Sequence, residues 1–167
     1  MLVKESISFQ RGNDPKDVLG IGTKYIIERW LEKMYINSYM INDDMSIDLK
    51  GRIDIKKERV GIINILPEFI KFNNVDGDFI LAHNELTSLR GFPNMVTGYC
   101  TCGRNKVTSL IGSPEKCGSF SCTGNLLTSL AGCPKEVAEH FWCEENPGNF
   151  KVWDVRAYCN VHGDIRV

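Results

Sequence analysis

Three copies of one short pattern lie end to end in the middle of the chain, and they constrain the fold more than any other feature. They are Asn84-Glu85-Leu86-Thr87-Ser88-Leu89-Arg90-Gly91-Phe92-Pro93, Asn105-Lys106-Val107-Thr108-Ser109-Leu110-Ile111-Gly112-Ser113-Pro114 and Asn125-Leu126-Leu127-Thr128-Ser129-Leu130-Ala131-Gly132-Cys133-Pro134. The copies begin 21 and then 20 residues apart. Each runs on to a small apolar residue (Val96, Cys117 or Val137) and then to a strand-like triplet. The triplets are Cys100-Thr101-Cys102, Phe120-Ser121-Cys122 and Phe141-Trp142-Cys143, and a fourth asparagine, Asn146, closes the series. A unit of about twenty residues cannot enclose a core alone, so such units stack and each covers the apolar face of its neighbour. A fainter copy precedes them: Pro67, then Val75-Asp76-Gly77-Asp78-Phe79-Ile80-Leu81. Further upstream, Ile53-Asp54-Ile55 reads as the strand of a capping unit, with Ile62 and Ile65 in the Leu-x-x-Leu slot. The spacing predicts parallel strands near residues 53, 79, 100, 120 and 141.

Alternation along a strand assigns the two sides. Phe79, Cys100, Phe120 and Phe141, with Leu81, Cys102, Cys122 and Cys143, are expected to point inward. The leucine pairs fill the rest of each layer. Asn84, Asn105, Asn125 and Asn146 are expected to stack as a ladder whose amides bond backbone groups at the corner after each strand. The Gly-x-Pro that follows suits a tight turn rather than a helix.

This pattern resembles that of leucine-rich-repeat proteins, in a shifted frame. More narrowly, the run of Leu-Thr-Ser-Leu-x-Gly-x-Pro followed by Phe-x-Cys is similar to short repeat proteins found among bacteriophage open reading frames. Their flanks resemble Ser6-Ile7-Ser8-Phe9-Gln10-Arg11-Gly12-Asn13-Asp14-Pro15-Lys16 and Phe150-Lys151-Val152-Trp153-Asp154-Val155-Arg156. The resemblance implies an α+β fold, a small leucine-rich-repeat-like solenoid with parallel strands. It also implies a viral or mobile-element source, and it brings no activity with it.

The flanks read differently and divide the chain into an N-terminal helical cap (1–45), the solenoid (46–149) and a C-terminal cap (150–167). Asp14-Pro15 is expected to open a short helical turn that Gly20-Ile21-Gly22 ends. Thr23 then caps a second helix carrying Ile26, Ile27, Trp30, Leu31, Met34 and Tyr35 at helical spacing. At the other end, Val152–Tyr158 suits a short helix. Ile47-x-Leu49-x-Gly51-x-Ile53-x-Ile55 is echoed by Cys159-x-Val161-x-Gly163-x-Ile165-x-Val167, at an offset of 112 residues. Each reads as a β-hairpin around a three-residue loop, pairing Leu49 with Ile53 and Val161 with Ile165.

Charge and composition narrow the function. The 167 residues carry 20 Lys and Arg against 21 Asp and Glu, a net charge of −1. That balance argues against a nucleic-acid partner, which calls for an excess of cations. No apolar run is long enough to span a membrane, and Met1-Leu2-Val3-Lys4-Glu5-Ser6 does not read as a signal peptide. A cytoplasmic protein is expected (host cytoplasm, if viral), with its seven cysteines acting as small buried hydrophobes. The column Cys102, Cys122 and Cys143 lacks the Cys-x₂₋₄-Cys pairs of zinc sites, so neither metal nor cofactor is expected. His83, His140 and His162 sit in no recognised catalytic motif, and no phosphate-binding loop or nucleophile elbow occurs. His140 lies near Cys143 in sequence, but strand alternation sends the thiol inward and the imidazole outward.

A binding surface remains. The outward strand positions give a small polar middle, with Thr101 and Ser121, flanked by Ile80, Tyr99, His140 and Trp142. Aromatic and long apolar side chains of this kind anchor interfaces. The expected function is a protein–protein interaction module, a phage accessory protein binding a host factor such as a defence component. Self-association into an oligomer fits that reading. A small-molecule or nucleotide binder, and an enzyme of unrecognised class, are the competing readings.

Overall fold

The computed structural model describes residues 15–167. The expected helix start at Asp14 lies outside the described residues. The elements in chain order are α1 Pro15–Lys33, β1 Tyr39–Ile41, β2 Ile47–Lys50, β3 Ile53–Asp54, α2 Lys57–Val60, β4 Phe72–Asp76 and β5 Phe79–Ile80. They continue with β6 Met95–Thr101, β7 Lys116–Ser121, β8 Glu136–Val137, β9 Phe141–Trp142, α3 Val152–Tyr158, β10 Asn160–Val161 and β11 Ile165–Arg166.

These strands stack as a solenoid of about six turns. Two ladders of strands share β6 and β7 and diverge on either side of them. The first runs β1-β2-β4-β6-β7-β8-β10, and the second β3-β5-β6-β7-β9-β11. Every strand pair is parallel except β1 with β2, which closes the first ladder at its N-terminal edge. In the second ladder Phe79 faces Cys100, Cys100 faces Phe120 and Phe120 faces Phe141, the register that the repeat predicts. No helix falls between Asn84 and Asn146.

Two columns run through the core, one per ladder. Leu49, Val75, Val96, Cys117, Val137 and Val161 align in the first. Ile53, Phe79, Cys100, Phe120, Phe141 and Ile165 align in the second. All but Ile165 are buried, and each large side chain so buried contributes about 1.5–3 kcal/mol. Aromatic side chains pack within and between turns: the Phe72–Phe79 centroids lie 5.3 Å apart across one turn, and the Phe79–Phe92 and Phe120–Phe141 centroids lie 5.1 and 5.5 Å apart between neighbouring turns.

These columns correct the two expected hairpins. Leu49 pairs with Val75 and Ile53 with Phe79, not with each other. Likewise Val161 pairs with Val137 and Ile165 with Phe141. The sequence echo therefore marks the first and last turns of the solenoid, each folded once at its glycine. The bend column holds Gly51, Gly77, Gly98, Gly118 and Gly163, and from Gly77 onward each of these glycines lies close against the backbone of the turn before it. A Cβ on Gly118 would lie 2.7 Å from the carbonyl oxygens of Thr97 and Gly98, and one on Gly98 would lie 2.8 Å from that of Gly77.

The asparagine ladder forms as expected. Asn105 Nδ2 donates to the carbonyls of Leu81 and Cys102 at 2.8 Å each, and its Oδ1 accepts the Leu86 N–H at 3.0 Å. Asn125 and Asn146 repeat this with the N–H groups of Val107 and Leu127. Asn84 donates in the same way to Ile55, but its buried Oδ1 has no protein partner. The matching N–H would come from Ile63, whose carbonyl accepts the Glu85 N–H just as that of Leu86 accepts the Lys106 N–H, but the Ile63 N–H does not reach the amide oxygen. There the chain leaves the regular path through α2. That departure also shifts the leucine slot: Ile63 and Leu66 are buried, while the expected Ile62 and Ile65 face solvent.

At the N-terminal end α1 lies over the first turns. It runs unbroken through Gly20-Ile21-Gly22, contrary to the expected break. Ile27, Leu31 and Met34 are buried and Trp30 packs on Phe72 at 6.2 Å, whereas Ile26 and Tyr35 are exposed. Docking on the solenoid outweighs the cost of two glycines in a helix, about 1 kcal/mol each. Among the described residues no helix is long and apolar enough to cross a membrane.

Candidate functional site

The second ladder turns three columns of side chains outward. One runs Asp78, Tyr99, Ser119, His140, Asp164 and the next Ile80, Thr101, Ser121, Trp142, Arg166. The third, set by the hydrogen bonds beyond the strands, runs Ala82, Gly103, Thr123, Glu144. All six expected binding residues, Ile80, Tyr99, Thr101, Ser121, His140 and Trp142, thus lie in two adjacent columns.

Their arrangement differs from a flat sheet with exposed small residues. Tyr99 and Trp142 sit two turns apart, yet their rings meet edge to face with centroids 5.8 Å apart. His140 lies against Trp142, with centroids 5.4 Å apart. Because the turn between them carries only Ser119 and Ser121, the large side chains lean together above it. Thr101 is 3% exposed and Ser121 6%, so a partner meets the rings before the small residues, contrary to a direct approach onto Thr101 and Ser121. Tyr99, His140, Trp142 and Ile80 are half-buried.

The polar groups beneath are bonded. Ser119 Oγ donates to Glu139 Oε2 at 3.0 Å and accepts the His140 N–H at 3.4 Å. Thr101 Oγ1 accepts the Gly103 N–H at 3.0 Å. Asp78 Oδ1 accepts the Tyr99 N–H at 2.9 Å, which ties that strand to the turn before it. His140 Nδ1 accepts the Asp164 N–H at 3.3 Å, an arrangement that leaves Nε2 to carry the proton of the neutral ring. The result is an aromatic knob on a stiff parallel sheet. Such a surface offers ring area and ring-edge polarity for contact.

The cysteine column has no nucleophile on this face. Cys102, Cys122 and Cys143 are buried, and all seven cysteines are free thiols. Burial pushes Cys102 and Cys143 up to about 12, which keeps both as neutral thiols at ordinary pH.

A depression of about 630 Å³ opens on the first ladder between Asn42, Asp44, Ser46, Asp48, Asn73 and Asn94. Its polar atoms already serve each other. Asp48 Oδ1 accepts from Asn73 Nδ2 at 2.9 Å and the Asn74 N–H at 3.0 Å, and its Oδ2 from Asn42 Nδ2 at 3.2 Å. The Ser46 hydroxyl and N–H hold the Asp44 carboxyl below its usual range. This network fastens the β1–β2 turn to its neighbours. Sequence reading did not find it, although the alternating Asn42, Asp44, Ser46 and Asp48 were its signal.

Comparison of the chain with protein families, with curated proteins and with solved structures finds no match.

Proposed function

We propose that the protein is a protein–protein interaction module of the leucine-rich-repeat-like kind, and that the outward face of the second ladder is its contact surface. The Tyr99–Trp142 pair carries this reading. Two large rings from separate turns stand together, half-exposed, over a sheet that cannot easily deform. Aromatic side chains held so supply contact area at little cost in conformational freedom, the usual make-up of a binding hot spot. The resemblance to short phage repeat proteins supports a host factor as the partner, within the bacterial cytoplasm, and a component of bacterial defence is the first class to try.

The test is capture of partners from a bacterial lysate by the full chain and by its Tyr99→Ala and Trp142→Ala variants. A specific partner retained by the wild type and lost from both folded variants is the expected result. A partner held equally well by all three would place the contact elsewhere.

A further inference from the structure

We infer that the partner of this face presents a lysine or arginine side chain of a basic segment to the Tyr99–Trp142 pair; this rests on the reading of the face as a protein-binding surface. The chain's net charge of −1 hides a local asymmetry. The column that carries Tyr99 and His140 has a carboxylate at each end, Asp78 before Tyr99 and Asp164 after His140. Asp164 Oδ2 lies 3.8 Å from His140 Nδ1. Glu139 reaches in from the bend to the Ser119 hydroxyl at 3.0 Å. Glu144 follows Trp142 by two residues on the same side of the sheet.

The cations nearby are mostly engaged. Arg52 lies 3.4 Å from Asp78 and 3.5 Å from Asp54, and Arg104 lies 3.5 Å from Glu145. Arg166 alone borders the ring of Trp142 within its column. Asp78 is shared with Arg52, which leaves Glu139, Glu144 and Asp164 around the aromatic cluster against the single guanidinium of Arg166.

Two independent features favour the same ligand chemistry. The ring faces carry negative electrostatic potential and attract cations, most strongly where water is partly excluded. The carboxylates around them add a field of the same sign, which steers a cation in and turns an anion away. Lysine and arginine also bring an apolar stem that lies along an aromatic surface while the charge stays at the wet rim. A phosphate backbone or an acidic peptide meets repulsion from Glu139, Glu144 and Asp164 and attraction only beside Arg166.

The experiment titrates three blocked peptides into ¹⁵N-labelled full-length protein: alternating lysine–glycine, glutamate–glycine and leucine–glycine. The indole N–H of Trp142, assigned by its loss in Trp142→Ala, is the reporter. The lysine peptide is expected to move that signal in a saturable way, and more weakly as salt is raised to the physiological level. The double variant Asp78→Asn with Glu144→Gln, at two half-buried positions, should weaken it by about tenfold, within the range of paired interfacial charges, and Arg166→Gln should tighten it. A Trp142 signal that responds equally to the leucine or glutamate peptide, or to none of the three, overturns the inference. If lysate capture still depends on Tyr99 and Trp142 in that event, the protein-binding reading stands and only the basic partner falls. If capture is also indifferent to both rings, the surface reading falls as well.

Discussion

The two ladders share β6 and β7, yet their outward faces are built on opposite terms. On the first ladder, side chains from successive turns pair with each other. Lys116 Nζ lies 2.7 Å from Glu136, with His162 Nε2 at 3.9 Å on the other side of that carboxylate, and Asp48 is ringed by asparagine amides. On the second ladder Arg52 pairs with Asp78 and Arg104 with Glu145 at the margins, while the centre is closed by contacts between rings, over hydroxyls that are already covered. Strand stacking brings equivalent positions about 5 Å apart on both faces, so the backbone treats them alike. Side-chain chemistry alone makes one face self-satisfied and leaves the other with aromatic area to cover.

Substitutions can break or sharpen that contrast. The interior is common to both ladders, so its loss should be largest. Phe120→Ala empties a fully buried site and should cost about 3–5 kcal/mol, read as a drop in the urea midpoint. Gly118→Ala tests the bend that separates the faces. A methyl there presses on two backbone carbonyls of the preceding turn, and the strain should cost about 1–3 kcal/mol.

The buried thiols give a pH prediction. Cys102 and Cys117 are pushed up to about 12 by burial, above the roughly 8.5 of an unfolded cysteine. The thiol proton is then held more tightly in the folded chain than in the unfolded one. Its stabilising contribution is fully present below about pH 8.5 and is lost as pH rises toward 12. In that window each such thiol should lower stability by about 1.4 kcal/mol per pH unit. Denaturation curves that are flat between neutral pH and pH 10 would remove the thiols from the core.

The smallest effect belongs to the first ladder's surface. Lys116→Gln removes an ion pair exposed to solvent, and the urea midpoint should not move measurably. A clear loss would show that this face is a structural network and not a screened surface.

The repeat made the middle of the molecule legible because each position recurs at the same place in successive turns. Phe79, Phe120 and Phe141 could be placed in one column from spacing alone, and so could the asparagine ladder. The outer turns were harder for a physical reason. Leu49-x-Gly51-x-Ile53 reads the same whether the glycine bends a hairpin or separates two strands of a solenoid turn. Only the partners, Val75 and Phe79, decide, and these lie about 26 residues away. The slip from Ile63 and Leu66 to Ile62 and Ile65 came from adjacent apolar residues that satisfy either register. At the candidate site, alternation placed Tyr99 and Trp142 on one side. It carried no information on how far each ring leans, so the closure over Ser119 and Ser121 required the packed structure.

The central claim is that the second ladder's aromatic face, and not the first ladder's charged face, meets the partner. The direct measurement is parallel capture by folded Tyr99→Ala with Trp142→Ala and by folded Lys116→Gln with Glu136→Gln, against the same lysate. The account predicts that the aromatic double variant loses the wild-type partner while the charge variant keeps it. Loss on the charged face with retention on the aromatic face would contradict it.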